Sequence, residues 1–389
     1  MRRVAAIAFL LTISVSAFAQ DGGMTIAIPS ARTAAVGGIH VGSTADLSSL
    51  FSNPAGFMAA EAHLSLAEIS VAASGPIFDI ATVVIQGLSQ GDVTSMLGSE
   101  RVQSMLSSIY AAADVLGPIN FGYLGKGLGF GIFNTSDVTF ASNAPLTLTA
   151  TIAEQVTLSG GYAFRIPFPE GSLSTLDFGI LLKGSMRGEI ELTKSVVQLI
   201  SLFDGISLET VTGEPFRFIS GIGLDVGIRY GYSDIFAIGI VGKDLFTPTL
   251  TQSFSTFDAF LDNSATPTAT DGLIPVDLTA GILFAPRLGI FERFINDLRF
   301  MVDYVDILDF ITHPTTARNP ILHASMGMEV RLLEILTLRG GFNQGLLAAG
   351  LGIELSIFNV HVAMFGTELS AEPGIQPIYN AQVSIEFRI

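Results

Sequence analysis

The final stretch of the chain alternates up to its last residue. Val383, Ile385, Phe387 and Ile389 share one parity, and Ser384, Glu386 and Arg388 share the other. Successive side chains of a β-strand point to opposite faces, so this segment has one apolar and one polar face. An apolar-out, polar-in strand suits a transmembrane β-barrel, in which lipid-facing and lumen-facing residues alternate. Such a chain is expected to move or bind something at an outer membrane.

The opposite terminus reads as a secretory leader. Arg2 and Arg3 form a basic start, Val4 to Val15 an apolar run, and Ala17, Phe18 and Ala19 a small-residue cleavage site. The apolar run is too short to cross about 30 Å of hydrocarbon. Residues 1–19 are expected to be a signal peptide cleaved before Gln20, with Sec export to the outer membrane.

Hydrophobic residues make up 49% of the 389-residue chain and charged residues only 14%. A balance this apolar is typical of helical membrane proteins, yet no unbroken apolar run of about 18 residues follows the leader. A closed barrel is the other way to satisfy every backbone polar group in lipid. The chain has no cysteine, so neither a disulfide framework nor thiol chemistry is available. The formal charge of −16 becomes −18 without Arg2 and Arg3, which argues against nucleic acid and other polyanions as partners.

Period-two segments recur throughout residues 63–389. Ile222, Leu224, Val226 and Ile228 oppose Gly221, Gly223, Asp225 and Gly227; Leu298, Phe300, Val302 and Tyr304 oppose Asp297, Arg299, Met301 and Asp303. Charges near the midplane of the lipid face cost roughly 2–4 kcal/mol, and in these segments they sit on the other face. The pattern predicts strands at 63–71, 118–123, 128–140, 147–164, 176–187, 220–230, 235–242, 276–285, 297–305, 321–331, 335–342, 347–357, 358–366 and 379–389. That is an all-β, antiparallel barrel of about fourteen strands. The long links 72–117, 188–219, 243–275 and 306–320 all follow odd-numbered strands, which places them at one end, outside the cell, if both termini are periplasmic. With no Trp, the interfacial girdles fall to aromatics such as Tyr162, Phe164, Tyr230, Tyr232, Phe284, Tyr304 and Phe342.

Residues 20–62 do not alternate. Small residues, Gly and Pro suit a compact irregular segment inside a barrel. The run Ala31, Arg32, Ala34, Ala35, Gly37, Gly38 is followed by Asp46, Ser48, Leu50, Phe51, Asn53, Pro54, Ala55, Gly56 and Phe57. This pattern resembles the N-terminal hatch of the FadL-like long-chain fatty-acid transporters, including their PorV-type relatives. Asn53, Pro54 and Ala55 match that family's hatch motif. Val302, Asp303 and Tyr304, and the later glycine pairs around Phe342 and Leu351, are similar to its C-terminal half. Ile389 departs from the aromatic residue that ends many outer-membrane proteins. The resemblance implies a barrel plugged by its N-terminus. Its solute is captured outside and leaves sideways through a gap at a kinked strand.

Several residues fit that outline. In 128–140 the outward parity passes through Asn134 and Ser136, a candidate lateral gap made by a bulge. Within 72–117, Val102, Met105, Leu106 and Ile109 recur at helical spacing and form a candidate acyl-chain groove. Phe254, Phe257, Phe260 and Leu261 read similarly in a later loop. A carboxylate ligand would need a lumenal cation, and Lys183, Arg229 and Arg299 are inward by parity, although inward aspartates are expected to neutralise most of them.

No catalytic constellation is visible: there is no G-x-S-x-G elbow, and His40, His63, His313, His323 and His361 have no metal-ligand spacing. Asp303, Asp306 and Asp309 resemble a carboxylate cluster, but Asp306 and Asp309 sit in a loop and read as solvated acids rather than a site. Neither an enzyme, a cofactor nor a metal is expected. The reading is a monomeric channel for long-chain fatty acids or similar hydrophobic molecules, surrounded by outer-membrane lipid. The alternatives are a PorV-type secretion scaffold without transport, and a general porin or adhesin.

Overall fold

The computed structural model describes residues 30–38, 40–44, 47–76, 110–144, 147–195, 212–263, 265–290 and 294–389. The leader with its cleavage site, and Val102, Met105, Leu106 and Ile109, lie outside the described residues.

Among the described residues, sixteen strands follow a short N-terminal segment: β1 (His63–Ser74), β2 (Tyr110–Gly125), β3 (Leu128–Ala144), β4 (Thr147–Ile166), β5 (Ser174–Ser195), β6 (Phe216–Tyr232), β7 (Phe236–Lys243), β8 (Pro248–Phe254), β9 (Thr268–Leu273), β10 (Asp277–Phe284), β11 (Ile295–Tyr304), β12 (Ala324–Leu332), β13 (Leu336–Asn343), β14 (Leu346–Glu354), β15 (Phe358–Glu368) and β16 (Pro377–Arg388). Fourteen of them form a closed antiparallel barrel, each paired with its neighbours in chain order and β7 paired with β10. Closure is between first and last strands, with Ile69 opposite Ile385 and Val71 opposite Val383. On β16, Val383, Ile385 and Phe387 are exposed, while Ser384 and Glu386 are buried. The alternation that opened the sequence reading therefore separates an apolar wall from a polar lumen.

The other two strands correct the expected loop at 243–275. β8 and β9 form a hairpin whose β8 pairs with the upper half of β6, from Phe216 opposite Phe254 to Gly221 opposite Thr249. Between them lies α1 (Phe257–Leu261), capped by the Thr256 hydroxyl. Phe216 packs against Phe254, Phe257 and Phe260 at centroid separations of 4.6–6.3 Å.

Strand ends also differ from expectation. Residues 110–117 and 72–74 belong to β2 and β1, not to a loop, and β5 and β6 extend into the expected loop 188–219. The physical reason is visible at Ala111, Ala112, Ala113 and Asp114. These small and polar residues show no hydrophobic contrast, yet each continues the ladder to β1 or β3. β12 starts later than expected, because Pro320–His323 form a 3-10 turn. The short links, three residues each between Tyr232 and Phe236 and between Leu332 and Leu336, turn on positive φ at Ser233 and Asp234 and at Leu333 and Glu334.

Candidate functional site: the filled lumen and a break in its wall

The N-terminal segment is held inside the barrel by contacts to opposite walls. It comprises α2 (Ala31–Ala35) and 3-10 turns at Leu47–Phe51 and Pro54–Met58. Leu47, Leu50, Phe51 and Phe57 form one buried cluster with Leu116, Leu124, Phe133, Leu181 and Ile219 of β2, β3, β5 and β6.

The three motif residues have distinct roles. Asn53 is fully buried; its Oδ1 accepts from Ala55 N at 3.0 Å, and its Nδ2 donates to Val41 O at 3.1 Å and Ile228 O at 3.2 Å. An amide is required, because a carboxylate has no donor for those two carbonyls. Pro54 sits at the first turn position, where a missing N–H costs nothing. Ala55, also fully buried, leaves room for close approach to the wall. The wall supplies the complementary gap: a Cβ at Gly179 would clash with Pro54 and Ala55 backbone atoms, and one at Gly227 with the Asn53 carboxamide.

Across the lumen, Arg32 makes a two-pronged pair with Glu329, Nε at 2.9 Å and Nη2 at 2.6 Å. Arg339 joins Glu329 (2.7 Å) to Glu354 (2.8 Å). His40 Nδ1 pairs with Asp303, whose other oxygen accepts from Val41 N at 2.9 Å. Buried charges need such pairing, because removing one partner strands the other.

Two of the three expected head-group cations have a carboxylate partner. Lys183 lies between Asp225 (2.9 Å) and Asp244 (3.0 Å), and Arg299 pairs with Asp297 at 2.6 Å. Arg229 is buried, with Nε 3.4 Å from Gly42 O. Lys183 and Arg299 are thus already neutralised.

The wall has a break, but one strand away from where parity placed it. From Leu128 to Ser142, β3 pairs with β4 residue by residue, so there is no bulge in β3 on that side. Between β2 and β3 the register jumps from Leu116 opposite Thr135 to Asn120 opposite Phe133. Gly117, Pro118 and Ile119 therefore face a single β3 residue, Asn134. On the β1 side the ladder also lapses, between Ser65 opposite Gly122 and Ser70 opposite Leu116. Proline cannot donate to a ladder, and Gly117 has φ +105°, so these residues bulge rather than pair. Pro118 was the sequence signal for this; it instead stood at the head of an expected strand.

Asn134 and Ser136 lie beside the break, buried despite their outward parity. Asn134 Nδ2 donates to the carboxylate of Glu154, which shares the outward parity of Leu158 and Tyr162. Next to this polar group, the outer wall holds a furrow of about 680 Å³, lined by Phe121, Phe130, Ile132, Leu158, Leu182 and Ile222. Gly160 and Gly184 form its floor, where no side chain fills the space.

No family model matches the sequence, and no curated protein matches it. Among solved structures the chain is similar to the Pseudomonas putida toluene transporter TodX, at 12% identity over 93% of this chain and 98% of that one, with a TM-score of 0.46. It is similar to the Ralstonia pickettii toluene transporter TbuX, at 14% identity over 91% and 97%, with a TM-score of 0.47. A Pseudomonas aeruginosa FadL homologue gives 10% identity over 93% and 99%, with a TM-score of 0.44. The local geometry of Asn53, Pro54 and Ala55 stands independently of these values.

Proposed function

We propose that this protein is a FadL-like outer-membrane channel for hydrophobic solutes, long-chain fatty acids among them. The solute is captured by the long-loop end, and residues 20–62 act as a hatch. It leaves sideways into the bilayer after the hatch rearranges. The observation that carries this reading is an N-terminal segment packed against the inner wall, together with a break in the β2–β3 ladder at Gly117, Pro118 and Ile119 beside an apolar furrow. A segment seated in the lumen disfavours steady ion flow, and a gap in a ladder beside an apolar groove favours an apolar passenger over a hydrated one.

The test is transfer of a fluorescent long-chain fatty acid and of an uncharged long-chain analogue into liposomes containing the folded barrel. Deleting Pro118 and Ile119 restores the register of β2 against β3. Transfer of both solutes by the native chain, abolished in the deletion variant while binding persists, supports lateral exit. Equal transfer by both proteins contradicts it.

The scaffold reading keeps one specific support. Among the described strands, β9 pairs with β8 alone, and all its residues from Thr268 to Leu273 are exposed. Such an edge offers a second chain a strand to pair with. Capture of a partner in a manner abolished by a proline in β9, with no solute transfer, would favour that reading.

A further inference from the structure

The loop between β11 and β12 gathers three ligand-type side chains that sequence spacing does not join. Asp306, Asp309 and His323 each offer a ligand atom, and all three atoms lie within 4.8 Å of one another. Asp309 opens α3 (Asp309–Thr312). His323 closes the 3-10 turn that leads into β12, and its carbonyl accepts from Val305 N at 2.8 Å, joining the two ends of the loop.

His323 is oriented by its other nitrogen. Nδ1 lies 3.0 Å from Val305 O, an acceptor only, so Nδ1 carries a proton, and in the neutral ring Nε2 presents a lone pair. The ring is clamped by Tyr304 and Phe310 at centroid distances of 5.7 and 5.3 Å. Only 5% of the residue is exposed, and Nε2 is buried with no hydrogen-bond partner. It points at the acids, 3.2 Å from Asp309 Oδ2. In the neutral ring that lone pair faces carboxylates, a repulsive arrangement that a cation between them relieves.

The neighbouring donors do not occupy that centre. Arg318 gives Asp309 Oδ2 its backbone N–H at 2.8 Å, but its guanidinium Nη2 binds Glu368 O and Ser370 O. His313 Nδ1 lies 3.1 Å from the other Asp309 oxygen, Oδ1. Burial, then Asp277 and Asp309, push the Asp306 carboxyl above its ordinary range, partly offset by His323 and His313. Negative charge is crowded here, at the long-loop end of the barrel.

We propose that Asp306, Asp309 and His323 bind a divalent transition-metal ion, with Zn2+ the best fit. One imidazole nitrogen and two carboxylate oxygens form a three-ligand set that leaves a fourth tetrahedral position for water. Bonds of about 2.0–2.2 Å set neighbouring donors about 3.4 Å apart, a small contraction of the present cluster. Calcium and magnesium prefer more ligands, all oxygen. The Nδ1–H bond to a backbone carbonyl is the outer support that metal-bound histidines use. Bound there, the ion clips the end of β11 to the start of β12 and, through Arg318, to the chain beyond β15.

The test uses the full barrel, folded in detergent, stripped with chelator and titrated with Zn2+ by calorimetry; Co2+ loading gives a second, spectroscopic readout of nitrogen and oxygen ligation. The expected result is one ion per chain. His323→Gln and, at the more accessible position, Asp306→Asn should each weaken binding at least tenfold while the heat-modifiable barrel is retained. His361→Gln, whose position lies in β15 away from the loop, should leave binding unchanged. Absence of stoichiometric binding by the native barrel overturns the proposal. So does binding that survives both loop variants, which would place the ion elsewhere. A third overturning result is a titration showing that His323 meets Asp309 as a protonated ion pair without metal.

Discussion

Asn53 reaches the barrel wall at Ile228: its side-chain amide donates to that residue's backbone carbonyl at 3.2 Å while also holding Val41 O at 3.1 Å. One fully buried side chain thereby joins the N-terminal segment to itself and to β6. Asn53→Ala removes three hydrogen bonds and leaves two carbonyls wanting donors. An unsatisfied buried polar group costs about 1–3 kcal/mol. Loosening of the segment should appear as faster proteolysis of residues 30–62, with the barrel's heat-modifiable shift retained.

Gly227 is the wall's half of that contact. Gly227→Ala places a Cβ against the Asn53 carboxamide, and the segment is expected to shift away from β6. In planar bilayers this variant should conduct small ions, whereas the native barrel should stay nearly closed. Equal conductance in the two would separate the segment from gating.

Lys183 sits between Asp225 and Asp244, with side-chain exposure of only 2%. Lys183→Met leaves two carboxylates unpaired in the lumen, and breaking a buried pair in this way costs about 3–5 kcal/mol. The midpoint of thermal unfolding should therefore fall. A fatty acid and its uncharged analogue should lose affinity together, since Lys183 is already neutralised. A selective loss for the fatty acid would instead make Lys183 a head-group contact.

The loop cluster gives a pH dependence with a definite sign. Asp306 has its carboxyl raised by burial, then by Asp277 and Asp309, against the lowering effect of His323 and His313. A raised acid holds its proton better in the folded loop than in the opened one. Its contribution is present below the ordinary carboxylate value and is lost as pH rises through the folded value. Without metal, amides of residues 305–323 should be better protected near pH 4 than near pH 7, after correction for intrinsic exchange. Zn2+ should remove that difference by restoring protection at the higher pH.

The barrel was legible because its physics is periodic. Val383, Ile385 and Phe387 declared a lipid face that the structure retains, and the strand ends flanking the four long links lie at one end of the barrel. What sequence missed was contact that no local pattern encodes. The partner of Arg32, Glu329, is 297 residues away, and His323 meets Asp309 only because the ends of their loop pair. The β8–β9 hairpin stayed hidden because Phe254, Phe257, Phe260 and Leu261 suit a helix, and a short helix does stand between the two strands. Asn134 lies beside the wall break, but the extra residues are on β2, where the small residues before Gly117 gave no contrast to read.

The most direct measurement is displacement of a fluorescent long-chain probe from the refolded barrel, which has no Trp of its own to complicate the signal. A channel for hydrophobic solutes should show saturable displacement by both a fatty acid and an uncharged long-chain competitor, with dissociation constants of order micromolar, about −8 kcal/mol. A folded, heat-modifiable barrel that takes up no probe saturably, and passes no hydrophobic solute into liposomes, would contradict the account.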